Sequence, residues 1–193
     1  MATLCAIARP RPRLLPDLGA RCHLKLAAET GIAGLSIEDS SGDEADPLFE
    51  FDLAVERVAA ARRAIDESGT GVVLTGRSEG FVVGRPDIDE TIRRLHAYAE
   101  AGADCLYAPR IDKLEHIAAI VSAVSPKPVN LLINGPFTTV REAAQLGVRR
   151  ISVGGTLART AWGGFLQAAR EIADEGTFSR FDRLPNVDAL FVR

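Results

Sequence analysis

Two adjacent carboxylates, Glu38 and Asp39, close the apolar run Gly34-Leu35-Ser36-Ile37. A carboxylate at the end of a strand can hold Mg²⁺ directly or through water, and oxygen ligands of this kind suit a hard cation better than zinc. The same pair also admits a structural role, with Asp39 capping the following loop and Glu38 paired to a basic neighbour. Arg77 and Glu79 end the segment "VVLTGRSE". An arginine there can clamp a carboxylate or phosphate in a bidentate pair, or form a structural ion pair with Glu79. Asn134 and Gly135 end "NLLING"; an amide and exposed backbone N–H groups can bind a carboxylate, or simply start the turn before Pro136. Gly154-Gly155-Thr156 precedes a helical stretch and can either receive an anion at a helix N-terminus or allow tight strand–helix packing. His23, His96 and His116 fall within helical patterns rather than at strand ends. No nucleophile elbow, phosphate-binding loop or dinucleotide fingerprint is present.

The elements that must position these groups repeat along the chain. "AGLSIE", "GVVLTGRSE", "DCLYAP", "PVNLLING" and "RRISVGG" are short, apolar and mostly non-alternating, as parallel strands covered by helices are. Each is followed by a helix-like segment: "DLAVERVAAARRAIDESG", "DETIRRLHAYAEAG" with Asp87 or Asp89 as cap, "KLEHIAAIVSAV", "TTVREAAQLG" with a threonine cap, and "TAWGGFLQAAREIADEG". "ARCHLKLAAETG" reads as a helix before the first of these strands. Repeating units of about 25–35 residues point to a (β/α) barrel or a doubly wound sheet. Polar ends on most of the strands favour the barrel, whose strand ends share one mouth. The fold class expected is therefore α/β, of the (β/α)₈ TIM-barrel type, incomplete, with about five βα units and parallel strands. An eight-stranded barrel takes about 250 residues, so about three units are expected to be missing on the N-terminal side, which leaves the strand ending at Glu38 as an edge. The domain reading is a Pro/Arg-rich irregular leader at 1–22, a partial barrel at 23–180 and a C-terminal tail at 181–193.

The 193 residues suffice for one sizeable core, and 47% apolar with 25% charged residues is an ordinary globular balance. A net charge of −3 argues against nucleic acid as a partner. No run reaches the ~18 apolar residues of a membrane span, and none follows the first residues as a signal peptide would require. Three widely spaced cysteines, Cys5, Cys22 and Cys105, read as thiols in a reducing cytoplasm.

From about residue 24 to 178 the chain resembles the isocitrate lyase/phosphoenolpyruvate mutase family. The stretches that carry the likeness are "GIAGLSIEDS", "FDLAVERVAAARRAI", "VVLTGRSEGF", "IRRLHAYAEAGADCLYAP", "NLLING" and "LGVRRISVGGTLARTAWGGFLQAAREI", in this order. The resemblance implies a (β/α)₈ barrel, often a homo-oligomer that exchanges its last helix. It implies Mg²⁺, small 2-oxo or 2-hydroxy acids as partners, and cleavage or formation of a C–C or C–P bond beside a carboxylate through an enolate-like species. By position, Glu38 matches the family's metal-shell glutamate and Arg77 its substrate-binding arginine; Glu79, Asn134 and Gly135 match positions lining the mouth. The sequence also departs from the family. No early D-x-D stretch precedes residue 24, no cysteine loop follows Asp39, and Pro109 stands where the mutases carry a histidine. The expectation is a Mg²⁺-dependent lyase-like barrel fragment, with a catalytically inactive binding or assembly module as the alternative.

Overall fold

The computed structural model describes residues 5–8 and 26–191. Six strands form one sheet in sequential order: β1 (Cys5–Ala8), β2 (Gly34–Glu38), β3 (Val73–Arg77), β4 (Cys105–Tyr107), β5 (Val129–Leu132) and β6 (Arg150–Ser152). Every neighbouring pair is parallel. The intervening helices are α1 (Phe51–Ser68), α2 (Ile88–Glu100), α3 (Leu114–Val124) and α4 (Val140–Gln145); α5 (Thr156–Glu175) follows β6. The fold is thus α/β with five βα units in succession, as expected. All strand carboxyl ends lie on one side, and β2, β3, β4, β5 and β6 stop at or within two residues of the expected Glu38, Glu79, Pro109, Asn134 and Gly154.

One correction concerns the leader. Cys5–Ala8 is a strand paired in parallel with β2, so this part of residues 1–22 is not irregular and β2 is an interior strand, not an edge. Four residues followed at once by Arg9 and Pro10 are too short to show a period; the strand is specified by its partner rather than by its own pattern. The rest of the leader, and the first half of the helix expected at 20–31, lie outside the described residues; residues 26–29 are helical.

Local chemistry sets the helix boundaries. The Asp87 side chain accepts the Glu90 backbone N–H at 3.0 Å and so caps α2. Thr139 and Glu142 form a reciprocal capping box at α4. Gly69, left-handed at φ 65°, stops α1. On α1 the buried stripe Ala54, Val58, Ala61, Ile65 recurs at helical spacing and faces the sheet.

Alternation along the strands sorts the sheet into two faces. Leu35, Ile37, Leu74, Leu106, Val129 and Leu131 join the helices' apolar residues in one core. The opposite face carries, in register across five strands, Glu38, Arg77, Tyr107, Asn130 and Arg150. This polar face is concave. Arg150 Nη1 on β6 donates to Thr75 Oγ1 on β3 at 3.4 Å. Those strands lie three spacings apart, about 14 Å in a flat sheet, beyond the reach of an arginine side chain. The sheet curls as a barrel wall does.

The chain divides into two compact units, Met1–Ser152 and Val153–Arg193. The second unit contains α5, which exposes Leu157, Trp162, Phe165 and Leu166, and two short 3₁₀ turns at Ser179–Phe181 and Asp188–Leu190. No helix among the described residues is long and apolar enough to cross a membrane.

Gly76 is the point where α2 comes closest to the sheet. A Cβ there would stand 2.9 Å from Tyr98 Cβ and 3.2 Å from Ala103 Cβ. Gly76→Ala is expected to lift α2 off β3 and to cost about 1–3 kcal/mol. Urea denaturation with an unchanged slope and a lower midpoint would register it.

Candidate functional site

Glu38 and Asp39, adjacent in sequence, point to opposite sides of the sheet and do different work. Asp39 is 2% exposed and turns toward the helices. Its Oδ2 accepts from Tyr98 Oη at 2.7 Å and Arg94 Nη1 at 3.2 Å, and its Oδ1 accepts from the Glu79 backbone N–H at 2.7 Å. Its backbone is tied as well: its N–H donates to the Arg77 carbonyl at 3.2 Å and its carbonyl accepts from Phe49 at 2.8 Å. Arg94 donates to the Phe49 carbonyl at 3.0 Å and, through Nε, to Glu90 at 2.7 Å. One carboxylate therefore fixes the ends of β2 and β3, the return of the 40–48 loop and the face of α2. Burial and the charge of Asp39 push the Tyr98 phenol far above its ordinary value, so it stays a donor.

Glu38 faces the concave side with Arg77. Arg77 Nε lies 3.6 Å from Glu38 Oε2 and donates to Glu79 Oε1. Both carboxylates are buried, Glu38 at 7% and Glu79 at 4% exposure. Burial pulls the Arg77 guanidinium down, and the Glu79 hydrogen bond with the charges of Glu79 and Glu38 more than restores it, so the group is held charged. The guanidinium carbon sits 5.1 Å from the centroid of the Tyr107 ring. Behind Glu38, Arg57 of α1 stacks on the Phe49 ring at 4.5 Å. Burial lowers Arg57, and the fields of Glu38, Tyr98 and Asp39 oppose that shift.

The structure thus brings three of the sequence-predicted residues, Glu38, Arg77 and Glu79, into one cluster. Asn134 and Gly135 lie beyond the end of β5, Asn134 exposed, and neither makes a hydrogen bond to that cluster among the described residues. Tyr107, Asp39 in its clamping role, Arg94 and Tyr98 escaped the sequence reading. The period-2 alternation of β2 was the available signal for Asp39, since it sends two adjacent acids to opposite faces.

Magnesium fits the described residues poorly. Among them no group of three or more His, Cys, Asp or Glu is placed to hold a metal ion. Asp39 is consumed by its three donors, and Glu38 and Glu79 both lie against Arg77. A hard cation that takes six oxygen ligands would find at most Glu38 and Glu79 there, in competition with a guanidinium.

A curled parallel βα sheet whose ionised groups cluster at the strand carboxyl ends defines a TIM-barrel-like protein with its polar site at the barrel mouth. The phosphoenolpyruvate phosphomutase family model matches residues 20–173, and the chain belongs to this family. It is similar to a candidate lyase/mutase of Burkholderia cenocepacia J2315 of known structure, with 44% identity and a TM-score of 0.85 over 92% of this chain and 65% of that one. It shares 30% identity over 148 residues with an uncharacterized protein of Mycobacterium tuberculosis, covering 76% of this chain and 54% of that protein. With an oxaloacetate decarboxylase of Paraburkholderia xenovorans LB400 it shares 33% identity over 129 residues, 63% of this chain and 40% of the relative. The chain spans about half the length of the curated relatives it matches. A phosphonopyruvate hydrolase solved with oxalate and Mg²⁺ shares the fold, with a TM-score of 0.74 over 91% of this chain and 63% of that one, at 24% identity.

Asp39→Ala is expected to strand the buried Arg94 charge and to lower stability by about 3–5 kcal/mol. Tyr98→Phe removes only a neutral donor and should cost about 1–2 kcal/mol. The order of the two urea midpoints checks the assignment; a smaller loss in Asp39→Ala would contradict it.

Proposed function

We propose that the concave mouth binds small 2-oxo or 2-hydroxy carboxylic acids, with Arg77 as the anchor for a substrate carboxylate. We further propose that the reaction class is lyase-type cleavage of a C–C or C–P bond beside that carboxylate. The observation that carries the reading is Arg77 itself. It is a charged guanidinium at a strand end, held through Nε by Glu79, flanked by Glu38 and seated on Tyr107, which leaves its terminal nitrogens as donors for an incoming anion. In this assignment Glu79 orients Arg77, and Asn134 and Gly135 offer an amide and backbone N–H groups at the rim.

Cleavage beside a carboxylate develops negative charge on an enolate oxygen, and Arg77 is the cation best placed to meet it. Mg²⁺, if it were bound, would supply Lewis-acid chemistry. In this chain Glu38 matches the position of the metal-shell glutamate, and the described residues do not complete the shell. That shortfall favours a second reading, in which the chain retains ligand binding but little turnover and serves as a binding or assembly module. The exposed Leu157, Trp162 and Phe165 of α5 support a homo-oligomer under either reading.

Two measurements separate the readings. Oxalate titrated into the chain by calorimetry is expected to bind, and Arg77→Ala to weaken it about 10–100-fold, the loss of a charged hydrogen-bonding partner. Release of 2-oxo acid from oxaloacetate, 2-methylisocitrate and isocitrate with Mg²⁺ is then expected to be slow or absent. Turnover above about 1 per second, abolished in Arg77→Ala, would establish the lyase reading; no oxalate binding at all would refute both.

A further inference from the structure

We propose that Tyr107 is a positioning residue for Arg77: its ring is the platform that holds the guanidinium in place at the mouth. The proposal rests on the reading of Arg77 as the ligand's anchor and adds what sets its orientation.

Tyr107 is the register partner of Arg77 on one side and of Asn130 on the other. Its side chain lies across the concave face. The Arg77 guanidinium carbon lies over the ring, 5.1 Å from its centroid. Burial keeps the Tyr107 phenol above its ordinary value against the opposing field of Arg77, so it stays neutral and its ring remains an uncharged platform near neutral pH.

Glu79 and Glu38 fix the position of Arg77 Nε, and a single contact through Nε still allows the guanidinium plane to rotate. The ring under it removes that freedom and turns the terminal nitrogens outward. A guanidinium fixed in this way binds a planar carboxylate in two parallel hydrogen bonds without first having to be ordered.

The test uses the full chain, oxalate as probe and the ¹⁵N resonance of Arg77 Nε, identified by its loss in Arg77→Lys. Tyr107→Leu removes ring and hydroxyl; Tyr107→Phe keeps the ring. In Tyr107→Leu the Arg77 Nε–H signal is expected to lose its ring-current shift and exchange faster, and oxalate affinity to fall about tenfold. Tyr107→Phe, which keeps the ring, should keep the ring-current shift and bind oxalate within about two- to threefold of the wild-type chain. An Arg77 signal and an affinity unchanged in a folded Tyr107→Leu would overturn the proposal, as would Tyr107→Phe behaving like Tyr107→Leu. If oxalate does not bind the wild-type chain while the Arg77 signal still moves in Tyr107→Leu, the ligand reading fails and the platform stands.

Discussion

A single buried carboxylate holds the mouth of this sheet together. Asp39 has no access to water, and an unpaired carboxylate in that position would be prohibitively costly. Three donors from two separate places in the chain meet it: the phenol and guanidinium of α2 and a backbone N–H just after β3. Because each donor is itself buried or tied down, none can leave without stranding the others. The ends of β2 and β3 are therefore locked at one height, and Glu38, Arg77 and Glu79 inherit their mutual geometry from that lock. The pair is better understood as a device for register than as a net source of stability, since buried ion pairs often do little more than repay their desolvation.

The division of labour between Glu38 and Asp39 follows from strand geometry alone. Two neighbours on a strand cannot serve one site, because the pleat sends them to opposite faces. One acid braces the helical layer and the other faces the concavity. The same alternation gives the face its row of Glu38, Arg77, Tyr107, Asn130 and Arg150, in which carboxylate, guanidinium, phenol, amide and guanidinium succeed one another across five strands. That row sets two guanidiniums, Arg77 and Arg150, on the concave face of a chain whose net charge is −3.

Much of this was legible before any coordinates. The helix–glycine–strand repeat set the order and direction of β2 to β6, and polar residues at strand ends located Glu38, Arg77 and Glu79, because both signals are local. What stayed hidden depends on distant partners. Cys5–Ala8 becomes a strand only through pairing with β2, and nothing in four residues followed by Arg9 and Pro10 announces it. Arg94 and Tyr98 look like ordinary positions on an amphipathic helix; their role comes from Asp39, 55 and 59 residues earlier. Tyr107 sits in a strand where an aromatic residue is unremarkable, and only its register with Arg77 of β3 puts the ring beside the guanidinium. Asn134, at a strand end like the others, projects into solvent, since β5 stops at Leu132 and the chain has already left the sheet.

The central claim is that the curled sheet presents Arg77 as the anchor of a carboxylate site on its concave face. A crystal structure of the chain grown with oxalate tests it most directly. The account predicts an oxalate carboxylate on the terminal nitrogens of Arg77, with Glu79 still on Nε and Tyr107 beneath the guanidinium. Oxalate bound away from Arg77, or seated at the same place in crystals of Arg77→Ala, would contradict it.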